Sequence, residues 1–117
     1  MSCDPGSTIK YEIVNNTTDN IKVKYQFVFD TSHSEKEVDI LAKASKTIHI
    51  DNPLGYAKQY NDSHDSIFLY SLTIQQNNKL TKQNFKDKKY WKFYETDSDN
   101  LNGTYKLIID STYFINQ

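Results

Sequence analysis

Hydrophobic and polar residues alternate along most of the chain, which is the pattern of β-strands with one buried face. Ile9, Tyr11 and Ile13 alternate with polar neighbours, and the same period continues over residues 21–29. By the same criterion, further strands are predicted at 35–44, 46–50, 66–74, 90–94, 104–110 and, as a last edge strand, 112–115. About seven or eight short strands at regular spacing predict an all-β sandwich or barrel.

Polar segments separate these strands. Asn77-Asn78 predicts a two-residue hairpin turn. Residues 54–65 predict an irregular polar loop, and residues 84–88 predict one helical turn. The segment 35–44 also fits a helix, because capping-box spacing precedes it. We favour the strand because the segments on both sides are strands.

Composition supports this class and limits the function. Nine Tyr, six Phe and one Trp favour strands, and 117 residues are enough for one domain. The net charge of −1 and the absence of Arg argue against a nucleic-acid partner. No apolar run approaches the ~20 residues that span a bilayer. The single cysteine, Cys3, excludes an internal disulfide framework.

The sequence contains no catalytic or cofactor motif. His33, His49 and His64 are not at metal-ligand spacing, and His49 is expected to face solvent, opposite Ile48 and Ile50. A G-x-S-x-G nucleophile motif and a glycine-rich phosphate loop are both absent. We therefore predict no catalytic residue, no metal and no cofactor, and a protein that is not an enzyme.

Two charged segments each leave two interpretations open. Carboxylates alternate at the start of 97–103 and would suit Ca²⁺, but Leu101 and Asn102 stand where an EF-hand needs an oxygen ligand and a glycine, so a polar turn is favoured. Residues 79–92 contain six Lys against Asp87. They form either a contact surface for an anionic glycan or acidic protein, or a solvated edge that resists aggregation, which we favour.

Four tyrosines are the candidate ligand contacts. Tyr56 and Tyr60 lie in the predicted polar loop, and Tyr90 and Tyr94 lie on the strand face opposite Trp91. Exposed rings stack on sugars and anchor protein interfaces, because they combine a large apolar area with a polar tip. The alternative is that these are ordinary tyrosines of an outer sheet face.

The amino-terminal Met1-Ser2-Cys3-Asp4-Pro5 resembles the end of a bacterial lipoprotein signal, in which the cysteine becomes the first mature residue and receives lipid. Together with Ile13-Val14-Asn15-Asn16-Thr17-Thr18-Asp19-Asn20-Ile21-Lys22-Val23 and Lys89-Tyr90-Trp91, the chain resembles short lipoproteins of the Bacteroidetes type. The resemblance implies a lipid anchor at Cys3 in the bacterial cell envelope. Surface-directed lipoproteins of this type usually carry a lysine-rich or acid-rich tract just after the cysteine. Only one acid follows Cys3 closely, so the resemblance favours a periplasm-facing position over surface display. Residues 1–7 are then a tether and residues 8–117 the domain.

Asp99 and the segment Gly103-Thr104-Tyr105-Lys106-Leu107-Ile108-Ile109 resemble the late strand of immunoglobulin-like sandwiches. There a tyrosine closes a strand corner through its hydroxyl group, so Tyr105 is expected to be structural. The resemblance implies a single immunoglobulin-like β-sandwich of mainly antiparallel strands. We expect a non-catalytic binding or accessory module for an envelope protein or glycan. An inhibitor or immunity-type protein and a small glycan-active enzyme are the alternatives.

Overall fold

The computed structural model describes residues 6–28, 34–95 and 101–114. Within these ranges, the strands are β1 Thr8–Asn15, β2 Ile21–Phe27, β3 Lys36–Ile40, β4 Ser45–Asp51, β5 Leu69–Gln76, β6 Lys79–Leu80, β7 Trp91–Glu95 and β8 Asn102–Ile109. One short helix, α1 (Ala57–Asp62), lies between β4 and β5. Two 3₁₀ helices cover Lys88–Tyr90 and Ser111–Phe114.

The strands form two sheets of four. The first sheet has the order β4-β1-β8-β7 and the second sheet has the order β3-β2-β5-β6. Neighbouring strands are antiparallel except β1 and β8, which are parallel. The predicted all-β sandwich of about eight mainly antiparallel strands is therefore confirmed. Its immunoglobulin-like character and the boundary at residue 7 stay predictions.

The inward faces of both sheets form one hydrophobic core. The buried residues of β1, β2 and β8 alternate along each strand, as the predicted period of two requires: Ile9, Tyr11, Ile13, Ile21, Val23, Phe27, Tyr105, Leu107 and Ile109. Two local predictions are also confirmed: residues 36–40 form a strand, and Asn77-Asn78 is the turn between β5 and β6. Both asparagines have a positive φ, of 49° and 67°, as a tight hairpin turn with this twist requires.

A β-bulge in β4 reverses the face that His49 was predicted to occupy. Tyr11 pairs with His49 and the next residue, Glu12, pairs with Thr47, so Ile48 is the extra residue of the bulge. Ile48 is buried, Ile50 is 48% exposed and His49 turns inward onto Phe27, with ring centroids 4.2 Å apart. The prediction of a solvent-facing His49 was wrong because one inserted residue shifts the alternation.

Two further predictions were wrong in detail. Residues 54–65 contain α1 and are not wholly irregular, and the expected edge strand at 112–115 begins as the 3₁₀ helix Ser111–Phe114, which buries Phe114. The turn expected at 84–88 is present, since the backbone N–H of Asp87 donates to the carbonyl oxygen of Asn84 at 3.1 Å, and the 3₁₀ helix Lys88–Tyr90 follows it. Each of these segments connects or follows strands. Local hydrogen bonds decide the conformation there, and the alternation of hydrophobic and polar residues stops.

Candidate functional site

A cavity of about 540 Å³ lies where α1 and the segments on either side of it meet the end of β4. Its walls come from three parts of the chain: Asp51, Asn52, Pro53 and Leu54; Gln59, Tyr60, Ser63 and His64; and Phe68. This volume is within the range of ligand pockets for small molecules, roughly 300–1,000 Å³. The cavity is the candidate binding site.

Close packing places α1 against the first sheet. Ala57 is fully buried, and a Cβ atom on Gly103 would lie only 3.1 Å from the Ala57 Cβ and 2.7 Å from the ring of Phe93. Only glycine fits at position 103 without moving these neighbours. The hydroxyl group of Tyr105 donates a hydrogen bond of 2.8 Å to Oδ1 of Asn61. Tyr105 is structural, as expected, but it holds α1 and does not close a strand corner.

The carboxyl end of α1 is held by a lysine from the lysine-rich stretch. Nζ of Lys88 donates to the carbonyl oxygens of Asn61 and His64, at 2.7 and 2.8 Å. A cation at this position satisfies carbonyl groups that the short helix leaves without partners. At least one residue of the predicted solvated edge is therefore part of the support of the cavity.

The outer rim of the cavity is tied to the beginning of β1. The backbone N–H of Ser7 donates to the carbonyl oxygen of Pro53 at 2.8 Å, and the Ser7 hydroxyl group donates to the carbonyl oxygen of Gly55. Gly55 has a φ of +95°, a value that favours glycine. These contacts hold the rim residue Leu54, which is 77% exposed, beside the opening.

A chain of hydrogen bonds runs from the core to the cavity through Asp51. Nε2 of His49 lies 2.7 Å from Oδ1 of Asp51, and the Tyr60 hydroxyl group donates to Oδ2 at 3.1 Å. The hydroxyl oxygens of Tyr60 and Tyr11 are 2.5 Å apart. Because the single hydroxyl proton of Tyr60 goes to Asp51, Tyr11 is the donor to Tyr60.

Burial keeps the phenol groups of this chain protonated. Desolvation is the largest cause that raises the pKa of Tyr11, Tyr60 and Tyr105 above the usual value. The negative charge of Asp51 raises the pKa of Tyr11 and Tyr60 further. The phenols therefore act as hydrogen-bond donors at neutral pH.

The wall beside Tyr60 combines aromatic rings with polar groups. The rings of His64 and Phe68 meet edge to face, with centroids 4.2 Å apart, and Phe68 also contacts the ring of Tyr60 at 6.1 Å. Nδ1 of His64 lies 2.7 Å from the Tyr60 carbonyl oxygen, and the Ser63 hydroxyl group donates to the same oxygen at 3.0 Å. The cavity therefore offers ring surface and hydrogen-bonding groups together.

The four predicted tyrosines do not form one site. Tyr60 lines the cavity, and Tyr56 is 46% exposed at the start of α1. Tyr90 lies in a 3₁₀ helix and packs on Phe85, with ring centroids 5.5 Å apart. Tyr94 is 41% exposed on β7. Cys3 lies outside the described residues.

Three residues that complete the cavity were not predicted as contacts: Asp51, His64 and Phe68. His64 was considered only as a metal ligand. The bulge at Ile48 brings Asp51 onto the inward side of β4, and α1 brings His64 against Phe68. The alternation of hydrophobic and polar residues, with its period of two, predicts neither the bulge nor the helix.

In the part of the chain that the structure describes, no three His, Cys, Asp or Glu side chains cluster as metal ligands would. Among the same residues, no helix has the length and apolar character needed to cross a membrane. His33 and the acidic residues of 97–100 lie outside the described ranges. Comparison of the chain with protein-family models, curated proteins and solved structures finds no match.

Proposed function

We propose that the chain is a non-catalytic binding module whose cavity beside α1 takes a saccharide unit. Tyr60 carries this proposal, because it presents its ring next to Phe68 and its hydroxyl group next to Asp51 in one cavity. A sugar ring has an apolar C–H face that packs on aromatic rings and hydroxyl groups that bond to carboxylates and amides. Asn52 and Gln59 supply amide groups in the same walls.

The number of carboxylates supports binding over hydrolysis. Most glycosidases place two carboxyl groups on either side of the bond that breaks. Asp51 is the only carboxylate among the described residues that line the cavity, and both its oxygens already bond to His49 and Tyr60. We expect no hydrolysis of polysaccharide by the pure protein, and hydrolysis at a rate that Asp51→Asn abolishes would contradict the proposal.

A binding assay on a glycan array tests the proposed function. Phe68→Ala removes one aromatic wall, so we expect saccharide binding to weaken about tenfold or more, as is typical when a ring that stacks on a ligand is lost. Tyr94→Ala removes an exposed ring outside the cavity and is the matched control, for which we expect unchanged binding. Loss of binding in Tyr94→Ala with retention in Phe68→Ala, or an array without any bound saccharide, would contradict the cavity as the site.

A protein ligand is the second candidate, because apolar side chains are exposed at the opening of the cavity. Leu54 and Tyr56 are 77% and 46% exposed, and they lie on either side of Gly55. Exposed apolar and aromatic side chains at a rim are typical of protein contacts. Capture of a defined envelope protein that Leu54→Asp abolishes, with an empty glycan array, would favour this candidate.

We further propose that the module is tethered to a bacterial envelope membrane by lipid on Cys3 and faces the periplasm. The support is the sequence resemblance around Cys3. The mass of the amino-terminal peptide from the native host tests the tether. A diacylglyceryl group on Cys3, with Met1 and Ser2 removed, is the expected result, and an unmodified Cys3 would dismiss the lipoprotein proposal.

A further inference from the structure

The hydrogen-bond donors at the inner end of the cavity are directed to other protein groups. His49 and Tyr60 each direct a donor to Asp51, and Tyr11 donates to Tyr60. An ionised carboxylate has about four lone-pair positions on its two oxygens, so these two bonds leave acceptor capacity. Asp51 lines the cavity with its side chain 17% exposed. A ligand that reaches Asp51 therefore meets an acceptor.

His64, which lines the cavity just after α1, also offers an acceptor. Nδ1 of His64 faces the carbonyl oxygen of Tyr60 at 2.7 Å, so in the neutral ring Nδ1 carries the proton and Nε2 is an acceptor. Ser63 donates its hydroxyl proton to the same carbonyl oxygen. Within the described residues, no protein group is in hydrogen-bond contact with Nε2 of His64. Asp51 and His64 thus present acceptors to one cavity.

No cation from the protein balances Asp51 on the cavity side. None of the described residues that line the cavity is Lys or Arg. Lys58, on α1, forms an ion pair with Asp62 at 3.2 Å, and Lys88 donates to two backbone carbonyl oxygens. Asp51 contacts the imidazole of His49 on its core side and has no Lys among the described residues on its cavity side, so the cavity favours a ligand that brings a cation.

We propose that the saccharide carries a free amino group, and that its ammonium binds at Asp51 and His64. An ammonium group offers three donors and no acceptor, which matches the acceptors that Asp51 and His64 present on one side of the cavity. The sugar ring then packs on Tyr60 and Phe68. This inference rests on the proposed function and names the ligand class, a hexosamine with an unacetylated amine.

Calorimetric titration of the full chain with two matched tetrasaccharides tests the inference. One is the β-1,4-linked tetramer of glucosamine and the other is its fully N-acetylated form. At about pH 7 an amine still carries its proton and an ordinary histidine is mostly neutral, so the amine form should bind about tenfold more tightly, as expected for a charge-assisted hydrogen bond. Equal or tighter binding of the acetylated tetramer would overturn the inference and leave the saccharide-binding function standing.

Two variants locate the preference. Asp51→Asn keeps the shape of the side chain and removes its charge, so the preference for the amine form should fall to about twofold or less. Asp62→Asn removes a carboxylate of α1 that does not line the cavity, and it should keep the full preference. An Asp51→Asn chain that folds and retains the tenfold preference would overturn the inference.

Measurements on the unsubstituted chain decide the question even if Asp51→Asn does not fold. Tetralysine carries comparable charge without sugar rings and should bind at least tenfold more weakly than the glucosamine tetramer. Tetralysine binding as tight as that of the sugar would mean attraction by charge alone, and it would overturn the inference. If neither tetrasaccharide binds and the glycan array is also empty, the proposed function itself fails.

Discussion

Tyrosines are buried and hydrogen-bonded in the cavity region of the sandwich, whereas on the outer face of the first sheet Tyr94 is exposed. In the cavity region, Tyr11 and Tyr60 donate in sequence to Asp51, and burial raises the pKa of both phenols. On the outer face of the first sheet, Tyr94 is 41% exposed, and Nζ of Lys106 lies 5.3 Å from its ring centroid. Desolvated contacts of the first kind contribute to the stability of the fold, whereas exposed contacts of the second kind contribute little.

The two regions also differ in charge. Within the described ranges, the lining of the cavity contains the carboxylate of Asp51 and no lysine. On the outer face, Lys92 pairs directly with Lys106 across the two strands, and Nζ of Lys106 lies 3.8 Å from Oε1 of Glu12. This difference argues that the two regions do not form one continuous ligand surface. It also makes the cavity the region where single substitutions have large effects.

The largest expected difference is between Tyr11→Ala and Tyr94→Ala. Tyr11 is 1% exposed and stacks on Tyr105 with ring centroids 5.2 Å apart, so its loss leaves a cavity in the core. We expect the free energy of unfolding to fall by about 3–5 kcal/mol for Tyr11→Ala. For Tyr94→Ala we expect a change within about 0.5 kcal/mol. Urea unfolding measures both, and similar losses would contradict the contrast between the regions.

Gly103→Ala should lower the stability of the fold and change the shape of the cavity, although residue 103 does not line it. The added methyl group would meet the Phe93 ring at 2.7 Å and Ala57 at 3.1 Å, so α1 or the ring must move. We expect a loss of about 1–3 kcal/mol in urea unfolding, with weaker saccharide binding. Gly6→Ala is the control, since no atom lies within 4 Å of its added Cβ. Unchanged stability in Gly103→Ala would show that α1 is not held by this contact.

Tyr60→Phe should lower the stability of the fold, because it removes one hydroxyl group that both accepts and donates a hydrogen bond. The substitution leaves the buried Tyr11 hydroxyl group without its acceptor and removes one donor from Asp51. We expect the free energy of unfolding to fall by about 1–3 kcal/mol. Tyr70→Phe, at a position that is 68% exposed, should leave it unchanged. Equal stability of the two variants would mean that solvent satisfies these groups.

Alkaline pH should weaken the fold through the same phenols. An unfolded tyrosine loses its proton near pH 10, whereas burial raises the folded pKa of Tyr11, Tyr60 and Tyr105 above that value. Above about pH 10 the unfolded state binds fewer protons than the folded state, so stability is complete below this pH and falls as the pH rises. At about pH 10.5, each tyrosine contributes a loss of under about 1 kcal/mol. The fall should be shallower in Tyr60→Phe, and identical pH profiles would contradict the raised pKa of Tyr60.

The smallest expected effect has the opposite sign and lies on the outer face. Lys92→Glu replaces two facing lysines with an opposite-charge pair across β7 and β8. We expect a gain of about 0.5 kcal/mol in urea unfolding at low salt. Lys82→Glu, outside the strands, is the control and should give no gain. A loss of stability in Lys92→Glu would show that the lysines of this face have favourable partners.

The sequence predicted the parts of the fold that depend on neighbouring residues. Ile9, Tyr11 and Ile13 share a face because side chains alternate along any strand, and Asn77-Asn78 turns the chain because asparagine tolerates a positive φ. His49 was placed on the wrong face because its orientation depends on how β4 pairs with β1, across the bulge at Ile48. A bulge is decided between strands, and alternation within one strand does not reveal it.

The sequence by itself determined the class of the fold and the inward face of most strands. Only the tertiary structure decided which tyrosine belongs to a site. Asp51, Tyr60 and Phe68 meet because α1 rests on Gly103 and is held by Lys88 and Tyr105, residues far away in the chain. Contacts between distant segments depend on the packing of the whole sandwich, and a local pattern of hydrophobic and polar residues does not predict them.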